Sequence, residues 1–547
     1  RLNTEGNDYV RDFSIRVLSQ VYDRRYGINY KPINKHSTFP TPPAGWMTWY
    51  AVQFDASEKT VLEQADWQAN NLLDYGATAL WVDWEWYHSD FSGIGKPDTD
   101  SFHPDPDRYP NGLQHVAHEI EKKGLTPCLW VGFTNDPTEN ELIRENPDML
   151  LVQKPSWCGQ YFLDPGHPDY LATYIPKAFS QVKAWGYKAL KWDCLPITLQ
   201  YLDQYHDSTV ITTLTSEEIL REAFKEAREV VGPDCYMLSC SGHSVRDITL
   251  GADIFDAARI GGDIFKWTEF VSQCVMRIMK FYACHNVLFY NDPDNVVLRP
   301  EFNTFDQALS RLSFVALLGL PVTFGDRLAD LSDDRVELLR RGLPPIDAHP
   351  MDVRGTVYND TVIKVNLAIE QPFERWNVVD IMNLGDAPAD FRLDLKADLH
   401  LPDGAYLVYD YWAQTSLGTF TTDVPLTIRP FASRVLGIRQ ISGHPQIYST
   451  SRHITQGAVD LEQVAWDAAA MTLSGVSRVV KGDLYTITLH VPVGYQPITS
   501  GFKPEKANLS FVDGAVWRLA LLPEKNGLLD WSVTFQSSCS GIDDLLP

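Results

Sequence analysis

No apolar run in this 547-residue chain approaches 18 residues, so no segment reads as a membrane-spanning helix. Basic residues are in short supply: 47 Lys and Arg against 71 Asp and Glu leave a formal net charge of −24. A surface that acidic repels phosphate backbones and anionic headgroups, which excludes nucleic acid and membrane surfaces as expected partners. Cysteine is sparse too. Eight in a chain this long do not make a disulfide scaffold, and there is no CxxC and no cysteine–histidine cluster with zinc spacing. Cys128, Cys194, Cys240 and Cys284 each lie in or beside an apolar strand-like stretch, where a buried free thiol is the ordinary reading. The calcium-like run "NDPDN" (291–295) lacks the spaced loop of an EF-hand, so neither a metal nor a cofactor is expected. The chain opens on Arg1 with neither a methionine nor a signal peptide, and reads as processed or trimmed.

What is present is ordinary globular material, 44% hydrophobic and 22% charged, with length for several domains. From about residue 45 to 326 strand-like and helix-like segments alternate. "VLEQADWQANNLLDYG" places Val61, Leu62, Ala65, Ala69, Leu72 and Leu73 on one helical face, with Asp55 and Glu58 as its expected capping box and Gly76 as its stop. The helices "NGLQHVAHEIEKKG", "HPDYLATYIPKAFSQVKAWG" and "SEEILREAFKEAREVVG" follow, the last capped by Thr215 and Glu218. The strands between and after them read "GWMTWYA", "TALWVDW", "TPCLWVGF", "YKALKWD", "YMLSCS", "DAARIGGD", "VLFYND" and "PVTFGD". Eight strands alternating with helices over about 280 residues predict a (β/α)8 TIM barrel. An open doubly wound sheet is the rival, but no GxGxxG follows any strand.

After about residue 350 the texture changes to period-2 segments at short spacing, such as "TVIKVNLAI", "WNVVDIMNL" and "AYLVYDYW", and the pattern resumes after "SGHPQ". The expected architecture is therefore α/β: an N-terminal extension (1–37), a catalytic barrel (38–348), an antiparallel β-sandwich (349–440) and a second β-rich module (441–547). Neither β module shows a chemical constellation, and both read as structural support.

The stretch "YKALKWDCLP" (187–196) poses a physical question. It is a strand meant for burial, yet it carries Lys191 and ends on Asp193, and a buried charge costs several kcal/mol unless paired. In a barrel the chemistry sits at the C-terminal strand ends. Those ends carry Trp46 and Trp49; Asp83, Trp84, Glu85 and Trp86; Lys191 and Asp193; Cys240 and Ser241; Arg259 and Asp263; Asn291 and Asp292; and Asp326. The set is rich in carboxylates and tryptophan and poor in histidine. Tryptophan faces stack on sugar rings, carboxylates grip hydroxyls, and two carboxylates from separate strands are what glycoside hydrolysis requires.

"YKALKWD" resembles the nucleophile strand of the retaining α-galactosidases of glycoside hydrolase families 27 and 36, the melibiase type. "ARIGGD" resembles their Arg-x-x-x-Asp, and "GWMTWY", "DPDRYPNGLQHVAHEI" and "FYNDPD" match further family motifs in the same order. The resemblance covers about residues 38–345 and the sandwich that follows. It implies that Asp193 is the nucleophile and Asp263 the general acid/base. It further implies that Lys191 and Arg259 bind sugar hydroxyls and keep nearby carboxylates ionised, that Asp83 binds a hydroxyl across the ring, that Trp46 walls the pocket, and that Cys240 lies near the 2-position. No cofactor is implied, and the partner is a carbohydrate substrate. Two departures stand out. Only about 37 residues precede the barrel, where family 36 carries a large β-domain, and the family's Asp-Asp at the second strand is here Asp83-Trp84. The second departure leaves the mechanism intact and the glycone open among α-galactoside, α-N-acetylgalactosaminide, β-L-arabinopyranoside and α-glucoside. A transglycosidase on the same two aspartates, and a non-catalytic sugar-binding barrel, are the competing readings. The plain alternative for Asp193 and Asp263 is a pair of strand-end aspartates capping the next helices.

Overall fold

A computed structural model describes residues 33–347, 352–354, 361–504 and 506–537; the N-terminal extension lies almost wholly outside them. Eight parallel strands form one curled sheet: β1 (Ala44–Met47), β2 (Ala79–Val82), β3 (Thr126–Val131), β4 (Ala189–Trp192), β5 (Tyr236–Ser239), β6 (Ala257–Arg259), β7 (Tyr290–Asp292) and β8 (Val322–Phe324). Their spatial order is β7-β6-β5-β4-β3-β2-β1-β8. Such strands are buried on both faces, which is why they read as apolar runs without alternation. Gly45 is required where β1 meets β2, because a Cβ there would lie 1.7 Å from the carbonyl oxygen of Ala79.

The seam between β7 and β8 is closed just beyond the strands. Val296 N donates to Thr323 O at 2.7 Å, forming a parallel bridge to Phe324. Asp326, fully buried, then staples the following segment down by accepting from Leu298 N (2.8 Å), Arg299 N (3.2 Å) and the Arg299 guanidinium (3.0 Å). The strand-end carboxylate of β8 is thus spent on closing the barrel.

The helices that follow the strands are α1 (Glu58–Asn71), α2 (Gly112–Lys122), α3 (Ile175–Trp185), α4 (Ser216–Val231), α5 (Val245–Thr249), α6 (Met276–Phe281), α7 (Phe305–Leu317) and α8 (Asp333–Gly342). Thr215 and Glu218 form the expected capping box on α4. On α1 the cap is Ser57, whose hydroxyl accepts from Thr60 N; Asp55 belongs to the tight turn before it. A further helix (Leu195–Gln204) follows β4, and a hairpin (Leu150–Ser156 with Gly159–Leu163) rises from the connection after β3. Both were unmarked in the sequence pattern.

Beyond α8 the regular structure of the described residues is all β. A six-stranded sheet and a two-stranded one, Ala389–Asp394 with Asp423–Ile428, enclose a core that includes Val379, Ile381, Leu393, Val408, Ile428 and Leu436. Two four-stranded sheets then pack around Ile487, Leu489, Leu519, Trp531 and Val533. The fold is a TIM barrel with C-terminal antiparallel β-sandwich modules.

The last module is clamped to the barrel by charge. The Arg341 guanidinium of α8 makes two 2.7 Å bonds to the Asp483 carboxylate, with both side chains largely buried, and Arg452 donates to the carbonyls of Arg340 and Leu343. Leaving a buried cation without its partner is expensive, although Glu337 also reaches Arg341 and softens the loss. Asp483→Asn is therefore expected to lower stability by about 2 kcal/mol. An unchanged urea midpoint would show that this clamp is incidental.

Candidate active site

At the C-terminal ends of the strands lies a cavity of about 290 Å³. Asp83, Trp84, Lys191, Asp193, Cys240, Arg259 and Asp263 all line it. A larger cavity, about 870 Å³, lies where Pro344, Leu367, Arg452 and Val480 meet, and it gathers none of the strand-end residues. The chemistry belongs to the smaller one.

Its floor is a buried ion pair. Lys191 Nζ of β4 lies 2.8 Å from Asp83 Oδ2, with the side chains 3% and 4% exposed. Burial acts to deprotonate Lys191, but the Asp83 charge outweighs it and holds the ammonium well above its ordinary range. Burial likewise pushes Asp83 up, and Lys191 opposes it. The other oxygen of Asp83 accepts from Trp84 N at 2.9 Å. The carboxylate that Lys191 pairs with directly is therefore Asp83.

Asp193 is oriented by neutral donors instead. Trp130 Nε1 of β3 donates to its Oδ2 at 3.0 Å, and Cys194 N donates to its Oδ1 at 2.6 Å. Asp263 is held in a parallel way: Trp49 Nε1 donates to Oδ2 at 3.0 Å, and Arg259 Nη2 lies 2.6 Å from Oδ1. Each carboxylate thus has one oxygen on an indole N–H. Burial would raise Asp263, but Arg259 and then Lys191 outweigh it and hold the group at about 2. Its side chain is 49% exposed, so water screens part of that attraction.

Arg259 is itself buried and serves two acids. Besides Asp263 it lies 3.1 Å from Asp294 Oδ1, with Cys240 Sγ at 3.5 Å and Tyr50 Oη at 3.4 Å. Asp294, fully buried, accepts from Tyr50 Oη at 2.5 Å and from Ile264 N at 2.8 Å, and burial pushes it up to about 7 against the pull of Arg259. Asn291 and Asp292 sit behind this layer: Asn291 donates to Phe281 O, and Asp292 accepts from Asp294 N.

One predicted residue is not brought to the cavity. Trp46 is fully buried and donates its Nε1 to Asp326 O at 2.8 Å. The wall is Trp49, carried on the helical turn Thr48–Val52 that follows β1. Trp130, Ser241 and His243 also line the cavity, as do Phe91 and Trp157 at its mouth. Trp84 is packed edge-on or tilted against Trp49, Phe54, His88, Phe91 and Trp157, and its buried Nε1 has no hydrogen-bond partner.

A family model described as Melibiase matches residues 26–210. The chain is 22% identical over 386 residues to the "Probable alpha-galactosidase" of Dictyostelium discoideum, covering 70% of this chain and 87% of that one. Among solved structures it is similar to a family 27 β-L-arabinopyranosidase from Geobacillus stearothermophilus in complex with arabinose, with TM-score 0.62 and 17% identity over 75% of this chain and 100% of that one. It is also similar to an α-galactosidase from Saccharomyces cerevisiae with raffinose, with TM-score 0.53 and 13% identity over 75% of this chain and 100% of that one.

Glu85 sets a measurable pH dependence beneath the floor. It is fully buried and neither carboxyl oxygen finds a well-formed hydrogen bond. Burial, with the Asp83 charge adding to it, pushes the group from 4.5 up to about 8. The folded protein therefore prefers Glu85 protonated. That preference is fully met below the unfolded value and lost as pH rises through about 8. Glu85→Gln removes the penalty, so its stability gain over the parent should be larger at pH 8 than at pH 5, by on the order of a few kcal/mol. Thermal unfolding at both pH values reads this directly, and an equal difference at the two would mean that Glu85 is ionised in the native protein.

Proposed function

We propose that this chain is a melibiase-type glycoside hydrolase, a retaining, exo-acting enzyme that removes terminal α-galactosyl-type residues from oligo- or polysaccharides. The observation that carries the reading is the pair of carboxylates from β4 and β6 facing one cavity, each aimed by an indole N–H and flanked by buried cations. Asp193 attacks the anomeric carbon as the glycosidic bond breaks, and Asp263 delivers its proton to the departing oxygen. A water then enters, Asp263 takes its proton, and the oxygen displaces Asp193 from the same carbon. Two inversions give net retention. Lys191, Arg259 and Asp83 hold the sugar hydroxyls, with Cys240 near the 2-position.

A group held at about 2 is a base in the empty site, ready for the second step. The first step needs it protonated. A substrate supplies the reason: its leaving group covers the half-exposed carboxyl and removes the water that now stabilises the charge, which raises the pKa. If this is correct, proton NMR of the first-formed sugar shows the substrate's own anomeric configuration, and Asp193→Ala abolishes turnover on every substrate. Asp263→Ala should cost poor leaving groups far more than activated phenols, which depart without a proton. Initial release of the opposite anomer, or equal losses on both leaving groups, would contradict the assignment.

Trp84 favours a second reading of the glycone. A carboxylate at that position accepts bonds from hydroxyls; an indole offers one N–H and a flat apolar face. Its unpartnered N–H and its packing among five rings make a wall against the sugar edge that lacks the usual acceptor. The glycone is then altered from galactose at C4 or C6, and β-L-arabinopyranose, which has galactose's configuration without C6, is the simplest such sugar. An apolar wall discriminates by only about 1 to 3 kcal/mol, whereas a site built to bond a hydroxyl discriminates far more. On a nitrophenyl panel of the four candidate glycosides, Trp84→Asp should shift activity toward the α-galactoside. A parent that already prefers that substrate, and a variant with the same preference, would show that Trp84 does not set specificity.

A further inference from the structure

The mouth of the cavity is two-sided. On one side stand Phe91 and Trp157, 61% and 40% exposed, large apolar rings left open to solvent beside a polar site. On the other stand Ser241 and His243 with the backbone of Gly261 and Gly262. Phe91 comes from the connection after β2, and Trp157 from the turn of the hairpin after β3. The two loops are locked together at Gly93, whose φ is +70°. A Cβ there would lie 1.5 Å from Ser156 O and 2.9 Å from Gly159 O. Inward, the rings are continuous: Phe91 lies 5.8 Å from Trp49 and 5.4 Å from Trp84, and Trp157 lies 5.6 Å from Trp84. Trp49 is the residue whose N–H holds Asp263. An unbroken aromatic wall therefore runs from the acid/base to the rim.

We propose that Phe91 and Trp157 form a binding site for the leaving group, and that this leaving group is itself a pyranose ring. The inference rests on the glycosidase reading above and deepens it. An exo-acting site with a closed floor can continue toward solvent only past the bond that is broken, and Asp263 marks that bond. A pyranose presents an apolar C–H face and a rim of hydroxyls, which suits rings on one wall and Ser241 and His243 on the other. Exposed rings beside a polar cavity are the feature by which ligand grooves differ from ordinary surface. The enzyme is thus built for di- and oligosaccharides rather than for small aglycones.

A pair of probes isolates the leaving group: a glycosyl fluoride, which has no ring to stack, and a disaccharide with the same glycone. These are α-galactosyl fluoride with melibiose, or the β-L-arabinopyranosyl counterparts if the pentose is preferred. Trp157→Ala and Phe91→Ala are each expected to lower the disaccharide-to-fluoride ratio of kcat/KM at least tenfold, mainly through KM, and Trp157→Phe to recover most of it. Gly93→Ala, which forces the loops apart, should lower the same ratio with every ring intact. Equal losses on both probes would put the rings against the glycone and overturn the proposal. Should the parent turn over neither these probes nor any of the four candidate nitrophenyl glycosides, the glycosidase reading itself fails. Saturation-transfer NMR with free glucose then decides the rim separately: transfer present in the parent and lost in Trp157→Ala supports it, and transfer that is absent or unchanged overturns it.

Discussion

The 2.8 Å contact between Lys191 and Asp83 is the constraint around which the barrel's catalytic end is arranged. Both charges have left water, and each is tolerable there only because the other is present. The pair spans from β4 to β2 across β3, so it demands the observed register, in which Lys191 stands opposite Trp130 and Trp81 opposite Cys128. With Lys191 committed to Asp83, Asp193 has no direct cation among its hydrogen-bond partners and is aimed by an indole and a backbone amide. Arg259 repeats the scheme on the far side, with Asp294 as the buried partner and Asp263 as the one facing the cavity. In each half a buried cation keeps one structural carboxylate and lends its field to the cavity.

Elsewhere in the protein, and behind Arg259, several acids are buried without a full counter-charge. Burial lifts Glu85 to about 8, and Asp136, Asp294 and Asp380 each to about 7. All four are raised above their unfolded values, so all four favour the folded protein most in acid and withdraw that support as pH rises toward 7 to 8. Asp136 shows what such a group can hold: it accepts from Ser101 N, Asn140 Nδ2 and Tyr174 Oη, tying the connections after β2 and β3 to the start of α3. The loops that carry the cavity mouth are therefore pinned from below by an acid whose charge state follows pH.

Much of this was legible in the sequence, and for identifiable reasons. Strands buried on both faces read as short apolar runs, helices with one wet face read at a period of 3.6, and together they disclose the barrel. Asp83, Lys191, Asp193, Arg259 and Asp263 were recoverable because a charged residue ending an apolar strand is costly and so conspicuous. Trp46 and Trp49 were not separable: β1 stops at Met47 and turns helical, and which tryptophan meets the cavity depends on that one boundary. The partner of Lys191 depends on register between strands 108 residues apart, which no local pattern encodes. Trp130, Phe91 and Trp157 were missed because a tryptophan within an apolar strand and an aromatic within a polar loop give no local sign of facing a shared space. The hairpin carrying Trp157 was hidden for the same reason, its outer strand "LLVQKPS" lacking clean alternation.

The β modules first read as mere support are connected to the chemistry through α7. This helix is buried from Ala308 to Leu317, a pattern possible only for a helix covered on both sides. The barrel covers one side, and the first sandwich covers the other through Trp412 Nε1 on Ser313 Oγ at 2.8 Å and Ser310 Oγ on Phe431 O at 2.9 Å. Arg311, in the middle of α7 and fully buried, donates to Phe265 O (2.8 Å), Ile264 O (3.4 Å) and Asn295 O (2.9 Å). Those carbonyls belong to the residues that directly follow Asp263 and Asp294. That deep guanidinium is held by carbonyls and by the Phe270 ring, 5.4 Å away, and burial brings it down to about 10. Stripping the sandwich from α7 would expose an apolar surface and loosen the helix that aims Arg311. The loop bearing Asp263 would lose its anchor, so the sandwich is a structural part of the end of the barrel that carries the cavity.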